Sequence, residues 1–291
     1  MQLDKTRVAI RERGFLDIMD LAVRATRGHA SALVSAWVVG VLPLALLNVW
    51  ALRSHWPSDT SEAVPTAYLW NLALAMVWEI PLATAPLTLY LGQALFVERP
   101  NWRELAGQYF SRWGQLFWYQ VVLRGFLPFW AIVAYLNRAN EGLLVFLQLA
   151  TCLVWLYLYI VRPYLNEILL LERTPWQTQQ GRASTLSRAA NMHAHASADL
   201  FGRWITASFM GAMLITAGFL AMCWVRQTLT FEYQFDAWTY QLLLPLAAWL
   251  AIGYFAVVRF LSYLDLRIRT EGWEVELLLR AEGARLARQA A

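Results

Sequence analysis

Residues 204–225 read WITASFMGAMLITAGFLAMCWV, 22 consecutive positions without a charged side chain. A helix rises about 1.5 Å per residue, so roughly 20 apolar residues cross a hydrocarbon core about 30 Å thick. A helix that is apolar on every face has no solvated side and belongs inside a large core or a bilayer. Working outward, comparable runs lie at 30–50, 67–97, 115–136, 143–171 and 239–264. The expected fold is all-α, a polytopic integral membrane bundle of six transmembrane helices. The second, fourth and sixth runs exceed the minimum length, which predicts tilt, bending or projection beyond the bilayer. Composition agrees. Hydrophobic residues make up 59% and charged residues 15%, against about 25% charged in a typical soluble domain.

The basic residues give an orientation. The segments before the first span, between the second and third, between the fourth and fifth, and after the sixth hold 6, 3, 4 and 5 Lys or Arg, 18 of the 24 in the chain. The three opposite loops hold only Arg53, Arg138 and Arg226. By the positive-inside rule both termini are cytoplasmic. The net charge of +4 is therefore a topology signal, and no nucleic-acid partner is expected. Trp50, Trp56, Trp70, Trp224 and Trp238 fall near the expected outer interface, and Trp102, Trp113, Trp118, Trp176, Trp204 and Trp273 near the inner one, where amphipathic rings anchor. Residues 1–29 carry mixed charge and no small-residue cleavage pattern, so the first span is expected to remain. Cys152 and Cys223 sit within spans and imply no disulfide framework.

Short elements recur in order. Gly40-Val41-Leu42-Pro43 matches Gly125-Phe126-Leu127-Pro128. Tyr90-Leu91…Glu98-Arg99…Trp102 matches Tyr164-Leu165…Glu172-Arg173…Trp176, and Tyr263-Leu264-Asp265…Trp273 is a weaker echo. The expected organisation is a single membrane domain, 1–291, built of three units at about 15–101, 102–176 and 177–273. Each unit is an amphipathic cytoplasmic segment, a helix going out and a longer helix returning. The first segment places Phe15, Ile18, Met19 and Ala22 on one helical face, and the second does so with Trp102, Leu105, Tyr109 and Trp113. Such helices are expected at the membrane surface. The third carries His193 and His195, with Asp199 beyond. On a helix, His-x-His points the two rings about 200° apart, so no metal site is expected. Residues 265–291 read as a charged cytoplasmic helix.

Ionisable groups inside a bilayer cost a few kcal/mol each and face protein or water. Here they are Glu79, Arg124, Arg162, Glu167 and Arg259. In the fourth run Gln148, Cys152, Trp155, Tyr159, Arg162 and Asn166 follow steps of four and three, one continuous helical stripe. A Glu79–Arg124 pair requires the second span to bend, at Pro81 or Pro86, or to project. Glu167 and Arg259 both lie within about 8 Å of the inner surface and pair more easily. The candidate site is a polar cavity in the inner half of the membrane, lined by Glu79, Gln120, Arg124, Tyr159, Arg162, Asn166, Glu167 and Arg259. The competing reading is structural, with buried Arg groups capping carbonyls at the proline breaks or reaching to the inner headgroups. In the fifth span Ala207 and Gly211, then Gly218, with Ser208, Ala212 and Thr216 beside them, make a small-residue face for close helix packing, between subunits or within the chain.

Phosphate-binding glycine loops, paired soluble carboxylates, nucleophile motifs and Cys/His clusters are absent from the sequence. The chain is therefore expected to be non-enzymatic and to need no cofactor. The closing run 259–277, RFLSYLDLRIRTEGWEVEL, together with the paired repeats, resembles the membrane domain attached to some glycerophosphodiester phosphodiesterases and related six-span bacterial membrane proteins. The soluble phosphodiesterase domain has no counterpart in these residues, so that activity is not carried over. The resemblance implies a multi-pass protein of the bacterial cytoplasmic (inner) membrane that partners other membrane proteins. The expected role is a membrane subunit or scaffold in contact with the lipid bilayer, as a homo-oligomer or with other subunits. The alternative is a transporter or lipid-handling protein with an Arg-lined inner-leaflet cavity.

Overall fold

The computed structural model describes residues 14–53, 66–94, 100–122, 159–175, 183–194, 196–231 and 238–271, with isolated positions between 146 and 157. Every regular element among them is a helix. In chain order these are α1 (Phe15–Gly28), α2 (Ala30–Leu52), α3 (Thr66–Ala94), α4 (Trp102–Phe117) with a π turn at Trp118–Val122, α5 (Leu165–Leu171), α6 (Thr185–Ala194), α7 (Ser197–Thr230) and α8 (Leu244–Glu271), which follows a second π turn at Thr239–Leu243. Four stretches, Ala30–Leu52, Tyr68–Ala94, Ser197–Thr230 and Thr239–Thr270, are long and apolar enough to cross a membrane. The chain is a helical membrane-spanning protein. Of the spans expected at 115–136 and 143–171, the continuous described parts are 115–122 and 159–171. Arg124, Pro128, Gln148, Cys152, Trp155 and His195 lie outside the described residues, as does the C-terminal segment beyond 271.

His29, at φ −126° and ψ 27°, separates amphipathic α1 from apolar α2. The α1 face predicted for the membrane surface is instead used inside the protein. Ile18, Met19 and Ala22 are buried, and the Tyr254 hydroxyl of α8 donates to the Met19 carbonyl at 3.1 Å. The polar face keeps an exposed Asp20–Arg24 ion pair at 2.7 Å. α4 is capped by the Asn101 side chain, which accepts from the Arg103 amide at 3.1 Å. It buries Leu105 and leaves Trp102, Phe110 and Trp113 exposed.

α2 and α3 form a close hairpin. A Cβ built on Gly40 stands 2.0 Å from the Ala83 carbonyl oxygen, so only glycine permits that approach. Trp37 reaches across to α8, where its indole N–H donates to the Trp249 carbonyl at 2.9 Å. The absent side chain of Gly253 leaves room for the Trp37 ring. α3 runs as one continuous helix through Pro81 and Pro86. Side chains add hydrogen bonds to carbonyls of this stretch. Thr84 donates to the Ile80 carbonyl at 2.7 Å, and Asn166 to the Pro81 carbonyl at 2.7 Å.

A break lies elsewhere. At 162–164, around Pro163, the chain leaves helical geometry, and α5 restarts at Leu165. The stripe expected to run continuously from Gln148 to Asn166 is interrupted there, because Pro163 has no N–H and its ring crowds the preceding turn. α7 begins at Ser197 rather than 204. At 34 residues it is about 51 Å long, well beyond a hydrocarbon core. The row of Gly211 and Gly218 packs within the chain, while Ser208, Ala212 and Thr216 beside it are exposed. A Cβ on Gly211 would meet the Phe255 ring at 3.4 Å, and one on Gly218 the Ala247 methyl at 3.8 Å, both on α8.

Buried apolar side chains form two clusters. One gathers Ile18, Leu91, Leu105, Ile168, Met192 and Tyr263 at the end carrying α1, α4 and α6. The other joins α2, α3 and α8 at the opposite end through Val41, Leu52, Leu72, Met76 and Trp249.

Candidate functional site

The returning helices α3, α5 and α8 bring three polar side chains together. Arg259 donates from Nε to Glu167 Oε1 at 2.7 Å and from Nη2 to Thr84 Oγ1 at 3.0 Å. Tyr159 also contacts the guanidinium. Glu167 is fully buried and Arg259 is 10% exposed. Glu167 Oε2 has no hydrogen-bond partner among the described residues. Such a pair holds three helices in register. It contributes little net stability against an apolar replacement, yet costs much if only one partner is removed.

The other expected site residues go to different places. Glu79 accepts from Asn48 Nδ2 at 2.7 Å, a link between α2 and α3. Gln120 donates to the Asn166 side-chain oxygen, and Asn166 passes the chain of bonds on to the Pro81 carbonyl. Gln120 Oε1 is buried without a partner among the described residues. Arg162 stands at the break before α5, close enough to His193 for their charges to interact. Glu79 therefore sits with Asn48, Gln120 with Asn166, and Glu167 with Arg259 and Tyr159. Among the described residues these are separate groupings, and Arg124 lies outside the described residues.

A second set of charges escaped the sequence reading. Arg203, 7% exposed, pairs with Asp265 at 2.8 Å and Asp199 at 3.0 Å, and donates to Ser262 Oγ at 2.9 Å. Arg269 bonds the same Asp265 carboxylate. Ser262 shares a 2.6 Å hydrogen bond with the Tyr164 hydroxyl. Beside this, Glu172 pairs with Arg188 at 2.8 Å and accepts from the Tyr263 hydroxyl at 2.8 Å. These residues fall just past the ends of the apolar runs, where a charge reads as a loop residue. The available signal was positional. Arg203 precedes one antiparallel span and Asp265 follows the next, so opposite charges meet at one level.

Comparison with family models, curated proteins and solved structures finds no match for this chain. The resemblance of the closing run to the phosphodiesterase-linked membrane domain therefore remains an expectation from sequence, and the chemistry of the site has to be argued from its geometry.

His193, on α6 outside the spans, is the titratable group of this region. It is buried, its ring centroid lies 5.6 Å from that of Tyr164, and among the described residues neither ring nitrogen makes a well-formed hydrogen bond. Burial pushes its pKa down to about 4, and the Arg162 charge pushes the same way, against a weak opposing interaction with the Ala189 carbonyl. The unfolded chain takes up this proton near pH 6.5 and the folded chain only near 4. The stability from a neutral His193 is fully present above pH 6.5 and is lost as pH falls toward 4. The full effect is about 3 kcal/mol. Thermal unfolding in detergent at pH 7.5 and 4.5 is expected to show a larger acid loss for the wild type than for His193→Phe. Equal losses would remove His193 as the cause.

Proposed function

We propose that this chain is a non-enzymatic subunit or scaffold of the bacterial inner membrane, assembling with itself or with other membrane proteins. Its architecture in this reading is six spans in three repeated helix pairs, with both termini cytoplasmic. The observation that carries the reading is the contrast between α7 and α3. In their apolar windows 61% of α3 is buried and only 6% of α7. The outward side of α7 presents Ile205, Phe209, Met213, Leu220 and Trp224, all exposed and turned away from the face that meets α8. Its length and its large apolar side chains fit a partner helix. The charged groups support the same reading, because Glu167–Arg259 and Arg203–Asp265 tie helices of this chain to one another. The resemblance to six-span bacterial partner proteins agrees.

The test is site-specific photo-crosslinking in native membranes, with benzoylphenylalanine replacing Phe209 or Met213. The expected result is a protein adduct at both positions, either a dimer of this chain or a defined heteromer. Adducts of lipid mass alone at both positions would overturn the proposal.

A further inference from the structure

α7, α8 and the stretch at 159–164 enclose a groove of about 420 Å³, within the size range of ligand sites. One part is apolar, walled by Gly211, Ile215, Ile252 and Phe255. The other part is polar, with Arg203, Arg259, Tyr159 and Ser262. Along α7, Arg203 and Ile215 are about 18 Å apart by helical rise, and along α8, Ser262 and Ile252 about 15 Å. The groove is thus long, with its charged end toward the end of the molecule carrying α1, α4 and α6. It opens sideways at Ser208 and Ala212, both exposed.

The charge of the walls is one-sided. Two arginines line the groove, and among the described residues no Asp or Glu does. The carboxylates that balance them, Glu167, Asp199 and Asp265, meet the guanidinium groups without lining the groove. Each guanidinium has five N–H donors; Arg203 meets Asp265, Asp199 and Ser262, and Arg259 meets Glu167, Thr84 and Tyr159, so each keeps donors beyond these three contacts. This shape and charge fit a molecule with an anionic head and an apolar chain. A chain leaving lipid for an apolar groove gains little from the hydrophobic effect. Selectivity must then come from charge-assisted hydrogen bonds to the head.

We propose that this groove binds one acyl chain of an anionic phospholipid, with its phosphate at the Arg203–Arg259 end. This goes beyond the assembly role and does not depend on it. The test uses full-length protein in vesicles containing phosphatidylglycerol or phosphatidylcholine with a diazirine-bearing acyl chain, with labelled peptides mapped by mass spectrometry. Labelling between residues 204 and 215 is expected to favour phosphatidylglycerol about tenfold, the equivalent of one charge-assisted bond. Excess glycerol 3-phosphate should not displace it, because the chain is needed. Ser208→Trp fills the mouth and should abolish the preference. Glu167→Gln combined with Arg259→Gln keeps the site neutral and should bring the ratio toward one. Equal labelling by the two lipids overturns the proposal, as does a phosphatidylglycerol preference that survives Ser208→Trp in protein with an unchanged melting temperature. Displacement by glycerol 3-phosphate would likewise reject a lipid occupant in favour of a soluble phosphate.

Discussion

Replacing Arg259 by Gln is expected to cost the fold about 3–5 kcal/mol, the loss seen when one partner leaves a buried ion pair. The reason is Glu167. It is fully buried with one oxygen on Arg259 and the other without a partner among the described residues, so the variant strands a charge in the bundle core. Thr84 loses its donor in the same step. Glu167→Gln alone should also destabilise, and the double variant should recover most of the loss, because two neutral amides need no counter-charge. A double-mutant cycle of unfolding by SDS in mixed micelles measures the coupling. If Arg259→Gln unfolds at the wild-type SDS fraction, the pair does not hold α3, α5 and α8 together.

Gly40→Ala is expected to cost about 3 kcal/mol, the upper end for overpacking. The new methyl group would stand 2.0 Å from the carbonyl oxygen of Ala83. That atom belongs to helix backbone, so it cannot rotate away as a side chain would. The helices must part instead, loosening Val41 and the Asn48–Glu79 hydrogen bond two turns along α2. Gly211→Ala is the internal control, since its methyl group meets only the Phe255 ring at an ordinary 3.4 Å. The same SDS titration should place Gly211→Ala near wild type and Gly40→Ala far below it. Equal behaviour would mean that the α2–α3 approach is looser than described.

The membrane class was legible because an apolar run of 20 residues has few other uses. The ends of the spans were less so. Arg203 was taken to stop the fifth span, but its charge is closed by Asp199 one turn away and by Asp265, so α7 continues past it. Pro81 and Pro86 were places where the second span could bend, and α3 is one continuous helix through both, with Thr84 and Asn166 bonding carbonyls of that region. The break at Pro163 was hidden by polar spacing that stays helical across it. Glu167 and Arg259 were matched by depth, since both carry charge. Asn48, which holds Glu79, is neutral and invisible to a search for opposite charges. How far the repeats extend depends on both halves of each unit, and the second unit lies partly outside the described residues.

The central claim, that the bundle closes its charges internally and offers α7 to a partner, is tested most directly by native mass spectrometry of protein extracted into lipid nanodiscs straight from the membrane. The expected particle is heavier than the single 33.4 kDa chain, and Phe209→Arg on the outward face of α7 reduces it to that mass. A wild-type particle of 33.4 kDa, with no second polypeptide at any protein concentration, would contradict it.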